Sequence, residues 1–109
     1  MKSLACLFAA ALGCAALSAY GADASSNWSD HCSKCHGPDG RGDTKMGHRL
    51  HISDFTDAKV QAKFTDADAA KAIKDGVKNE DGKLRMKPID GLNDEEVQAL
   101  VKFVRAFQK

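Results

Sequence analysis

The sequence predicts an all-α fold of three to four short helices joined by long loops. Three observations lead there. Two helix starts carry reciprocal caps, at Thr65 and at Asn93. No run has the length and alternation of a convincing strand. The pattern Cys32-Ser33-Lys34-Cys35-His36 is followed at once by a glycine-rich stretch, which ends a helix and turns the chain back on itself.

The N-terminus is set aside first. Lys2 is a short positive region, and Leu4 to Leu17 is an almost unbroken apolar run. Small residues after it offer cleavage after residue 21, 22 or 24. This is the layout of a secretory signal peptide over residues 1–22, too short for a spanning helix, with the folded domain at 23–109. Cys14, in Ala11-Leu12-Gly13-Cys14, makes lipoprotein processing the minor alternative; Ala11 stands where a large aliphatic residue is expected. Export implies an oxidising compartment. Cys6 and Cys14 leave with the apolar run, so Cys32 and Cys35 are the only cysteines of the mature chain and do not make a disulfide framework. Without Lys2 the chain has 15 basic and 15 acidic residues, and shows no electrostatic footprint for nucleic acid.

The elements follow in order. Asp23 to Asn27 leads into a first helix, capped by Ser25 or Ser26. Trp28 and Cys32 are four apart and share a face of it; Trp28 is read as a packing residue. Gly37, Gly40 and Gly42 then let the backbone turn tightly. Thr44 to Lys63 has weak periodicity and reads as a loop with one short turn, contributing Leu50 and Phe55 to a pocket. Thr65 caps a helix with Asp68 at the reciprocal position; Ala69, Ala70, Ile73 and Val77 form its apolar stripe, and Gly76 ends it. Lys83 to Ile89 is an extended strap, barred from a helix interior by Pro88, with Met86 facing inwards. Asn93 caps the last helix and Glu96 closes the box. Val97, Leu100, Val101, Val104 and Phe107 follow a 3.6-residue period, with Phe103 at the margin.

C-x-x-C-H is the spacing of a c-type haem attachment site. Two thiols on one short turn reach the ring edge, and the adjacent imidazole reaches the iron as proximal ligand. A mature chain of roughly 85 residues is small enough that one large apolar group would contribute much of its core. Without haem the chain is expected to fold poorly.

Taken together, these parts resemble a small monohaem class I c-type cytochrome. The resemblance rests on Trp28 four residues before Cys32, on Cys32-x-x-Cys35-His36-Gly37, the glycine-rich turn, the middle helix, the Met86 strap and the terminal helix. It implies the cytochrome c fold wrapped around one haem c, covalent through Cys32 and Cys35, with His36 and Met86 as axial ligands. Met46, His48, His51 or an open sixth site are the competitors to Met86. Ten residues of chain reach roughly 33–36 Å, so Met46 is within range of the iron. It further implies a soluble, periplasmic, monomeric one-electron carrier, not an enzyme, serving redox protein donors and acceptors. Lys34, Lys83, Arg85 and Lys87 form a candidate positive collar for an acidic partner. Phe103 matches the family's aromatic on the last helix, with Ala24 or Ser25 as its small partner.

The chain departs from the family twice. Lys87 separates Met86 from Pro88, where relatives often have the pair adjacent. No proline lies near Lys45 to orient the proximal imidazole through its carbonyl, which leaves the acceptor for His36 unassigned. Two other classes of function stand beside the carrier. One is a haem protein with a labile or vacant sixth site that binds a small ligand or does chemistry at iron. The other is a haem-free C-x-x-C thiol or metal module, for which Cys32, Cys35 and His36 supply too few ligands to close a structural zinc site.

Overall fold

The computed structural model describes residues 24–109. The signal-peptide and Cys14 readings lie outside the described residues. Residues 24–31 form helix α1, and after a break at Cys32 the chain continues as α2, Ser33–His36. The Cys32 N–H still donates to the Trp28 carbonyl at 2.9 Å, so the hydrogen-bond ladder crosses the break. Helices α3 (Lys45–Leu50), α4 (Ala58–Gln61), α5 (Asp66–Asp75) and α6 (Asp94–Arg105) follow. Strands β1 (Val77–Lys78) and β2 (Leu84–Met86) lie between the last two helices.

Both capping boxes form. Thr65 and Asp68 exchange side-chain and backbone hydrogen bonds at the start of α5, and Asn93 and Glu96 do the same for α6. Each satisfies two N–H groups that a helix start leaves unpaired. Val97, Leu100, Val101 and Val104 are buried, as the 3.6-residue period requires. They form one core cluster with Trp28, Cys32 and Ile73. Leu100 and Val97 are its most completely buried side chains, and each contributes about 1.5–3 kcal/mol. Leu100→Ala is expected to cost about 2–5 kcal/mol in chemical denaturation.

Local details depart from expectation. Ser25 and Ser26 lie within α1, not ahead of it, and both are exposed. The segment from Thr44 to Lys63 holds two helices, α3 and α4, instead of one turn. Thr44 caps the first by accepting from the Gly47 N–H, and Asp57 caps the second by accepting from the Lys59 N–H. Such helices are too short to show a period. Among the described residues there are therefore six helical segments, more than the three to four expected, within the mostly helical architecture that was expected. Val77 leaves the α5 stripe, because Gly76 ends that helix and Val77 enters β1, where it is exposed. Among the described residues a small antiparallel pair interrupts the helical architecture, with Val77 opposite Met86 and Lys78 opposite Leu84.

One buried polar side chain ties the C-terminal end of α6 to the α4–α5 corner. Gln61 is 4% exposed. Its amide donates to the carbonyls of Phe55 at 2.8 Å and Val104 at 2.9 Å. Its side-chain oxygen accepts from Arg105 Nη1 at 2.8 Å. The same guanidinium bonds the Gln61 and Phe64 carbonyls and the Asp66 carboxylate, and sits 4.3 Å from the centre of the Phe64 ring. Gln61→Leu keeps the volume but leaves the Phe55 carbonyl without its side-chain donor, leaves the Val104 carbonyl with only its backbone donor from Phe107, and removes an acceptor from Arg105. It is expected to lower stability by about 2–3 kcal/mol, read from the shift in denaturation midpoint.

Candidate functional site

The turn after α1 is held by backbone groups whose partners lie elsewhere in the chain. Trp28 Nε1 donates to the Gly37 carbonyl at 2.9 Å. The Gly42 N–H donates to the His36 carbonyl at 2.7 Å, and the Thr44 hydroxyl to the Cys35 carbonyl at 2.7 Å. Trp28 is thus both a packing residue and a hydrogen-bond donor that fixes the end of the C-x-x-C-H turn. Its ring meets Phe103 at 5.6 Å and Phe107 at 5.0 Å, which seats α1 on the end of α6. Ala24 is buried and Ser25 exposed, so Ala24 is the small residue on the inner side of α1.

An apolar cavity of about 350 Å³ opens beside this turn. Cys32, His36 and Met86 all line it, together with Phe55, Phe64, Ile73 and Leu100. Met86 reaches it from β2. The competing ligands do not: Met46, His48 and His51 lie outside the lining, as does Leu50, which was expected in it. His48 and His51 are exposed beside a second cavity of about 510 Å³, where His48 Nε2 lies 2.7 Å from Asp43. Leu50 instead offers its carbonyl to Arg85. Cys35 is half-buried at the edge of the turn and does not line the cavity, whereas Cys32 is 6% exposed.

Burial sets the protonation of both inner groups. It pushes the Cys32 thiol up to about 11, with the neighbouring Cys35 adding to the effect, so Cys32 is a neutral thiol at pH 7. It lowers the His36 pKa, which favours the neutral imidazole, the form that binds metal. The His36 ring stacks on Phe55 with centroids 5.1 Å apart and an interplanar angle of 18°. Its Nδ1 is buried without a hydrogen-bond partner among the described residues.

The donor set fits a haem. An apolar cavity contains a neutral imidazole and a thioether, and two thiols stand at C-x-x-C spacing on the turn that carries the imidazole. Thr44 and Gly47 complete the site and were not foreseen. A Cβ on Gly47 would come 2.0 Å from the Gly42 carbonyl oxygen and 2.8 Å from that of Cys35, so α3 packs directly on the backbone of the motif. No sequence pattern marks Gly47; only the close approach of the Gly42 and Cys35 carbonyls in the fold does.

A helical shell, an apolar cavity and a C-x-x-C-H turn on its wall define a c-type cytochrome. The chain belongs to the cytochrome c family, which matches residues 21–108. It is similar to the solved KustC0563 c-type cytochrome at 38% identity, covering 80% of this chain and 99% of that one, with a TM-score of 0.67. A point mutant of that protein is similar at 37% identity, 79% and 99% coverage and a TM-score of 0.64. No curated protein matches. Membership implies haem c and haem-based electron transfer with redox partners. No helix among the described residues is long and apolar enough to cross a membrane.

Proposed function

We propose that the protein is a monomeric one-electron carrier with one haem c, bonded through Cys32 and Cys35 and held between His36 and Met86. One observation carries the ligand assignment: His36 and Met86 line the same apolar cavity, and Met46, His48 and His51 do not. When bound, the haem supplies a one-electron Fe(III)/Fe(II) couple. The chain's own part is to present a neutral imidazole and a soft thioether, to keep the cavity wall apolar and to fix both ligand-bearing segments. His/Met ligation favours a high potential. Pairing of Val77 with Met86 and the Ile89 N–H bond to the Ile73 carbonyl at 2.8 Å tie the Met86 strap to the end of α5.

With His36 and Met86 both holding the haem, the carrier would need no substrate cleft. Lys34, Lys83 and Lys87 are exposed, as is Arg85, which bonds the Leu50 carbonyl; we read the four as a positive collar. These charges act mainly on the rate of association with an acidic partner. Electron-transfer rates are expected to fall steeply with ionic strength; rates indifferent to salt over a wide range would remove the collar. The signal-peptide reading of residues 1–22 supports a periplasmic location.

The ligand assignment is tested by Met86→Ala. The oxidised parent is expected to show the weak far-red band of a methionine–iron bond, and the variant to lose it while keeping covalent haem. A band retained in the variant points to another ligand. Carbon monoxide binding by the untreated reduced parent would favour the labile sixth site.

A further inference from the structure

Three carbonyls at the end of the C-x-x-C-H turn already have donors: that of Cys35 from Thr44, that of His36 from Gly42 and that of Gly37 from Trp28. None is paired with His36 Nδ1, which is buried and has no hydrogen-bond partner among the described residues. The ring has aromatic neighbours instead. Phe55 lies nearly parallel to it at 18° and 5.1 Å, and Trp28 stands at 43° and 5.7 Å. Rotation of the imidazole out of this stack would drive its edge into the Phe55 face.

Phe55 is itself fixed at three points. Its N–H donates to the Gly40 carbonyl at 2.9 Å, and its carbonyl accepts from the buried Gln61 amide at 2.8 Å. Its ring meets the edge of Phe64 at 6.0 Å and 62°. A buried carboxamide is an expensive feature in so small a core. Here it anchors the backbone of the residue that faces His36.

We propose that Phe55 is a positioning residue for His36: its stack, anchored through Gln61, sets the plane of the imidazole in place of a hydrogen bond to Nδ1. The proposal rests on the reading of His36 as an iron ligand. An imidazole N–H without an acceptor also donates less electron density through the ring, so orientation and donor strength are separated in this site.

The orientation of an axial imidazole controls the paramagnetic shifts of the haem methyl protons, and this provides the test. Phe55→Leu and Phe55→Tyr are compared with the parent as oxidised holoproteins by proton NMR, with the visible spectrum as control. Phe55→Leu is expected to rearrange the methyl pattern, and Phe55→Tyr, which keeps an aromatic face, to retain it. An unchanged pattern in Phe55→Leu, or an equal change in both variants, overturns the proposal and leaves the ligand assignment standing. His36→Ala tests that assignment separately: if it keeps the parent's low-spin spectrum, His36 is not the ligand. Should Phe55→Leu fail to take up haem, the reduced parent decides. Its His36 Nδ1–H is expected at the field of a free imidazole N–H after ring-current correction, and a strongly downfield resonance, the mark of a carbonyl acceptor, overturns the proposal.

Discussion

The double variant Cys32→Ala, Cys35→Ala is expected to emerge without covalent haem and without a cooperative fold. The cavity that Cys32 lines adjoins the core cluster, sharing with it Trp28, Ile73, Leu100 and Val104. An apolar cavity of about 350 Å³, taken at about 24 cal/mol per Å³, corresponds to about 8 kcal/mol. A domain of this size has only about 5–15 kcal/mol of net stability. Part of the cavity faces solvent, so the figure is an upper bound, yet it still rivals the whole margin. Loss of haem should therefore remove most of the helical far-UV signal and broaden or abolish the melt. Haem staining after denaturing electrophoresis, far-UV circular dichroism and thermal melts read the outcome together. A variant that still stained, or melted cooperatively within a few degrees of the parent, would contradict the covalent assignment or the structural role of the cofactor.

The second large effect is expected from a single methyl group. Gly47→Ala would bring Cβ to 2.0 Å from the Gly42 oxygen and 2.8 Å from the Cys35 oxygen, both backbone atoms that no rotamer change can move. Helix α3 must then withdraw from the motif, which also strains the Thr44 bonds to Cys35 and Gly47. Overpacking of this kind costs about 3 kcal/mol, or roughly 12–24 °C in Tm for a domain of this size. Gly82→Ala is the control. Gly82 has a φ of +79° but nothing within 4 Å of an added Cβ, so only the backbone penalty of about 1–2 kcal/mol remains. Equal losses in the two variants would show that the contact between α3 and the motif is softer than its distances indicate.

The parts legible in the sequence are those whose cause is local. The Thr65 and Asn93 boxes need only residues three apart, and α6 shows its buried face through a period sustained over twelve residues. Helices α3 and α4 were not legible, because four to six residues cannot establish a period and their caps resemble ordinary turn residues. The site divides along the same line. Cys32, Cys35 and His36 are marked by spacing alone. Thr44, Gly47, Gln61 and Arg105 are marked by no local pattern, since the partners that fix them lie from five to forty-four residues away and meet them only in the fold.

By itself, the sequence determined the family, the attachment motif and the two capped helices, since each is written within a few residues. Tertiary structure alone decided which residues share the cavity with His36. Ten residues of chain give Met46 ample reach, so covalent distance could not separate it from Met86. The Ile89 bond to the Ile73 carbonyl and the close approach of Gly76 to the Met86 carbonyl hold Met86 beside the end of α5, on the cavity wall, whereas Met46, His48 and His51, on or just after α3, do not line it.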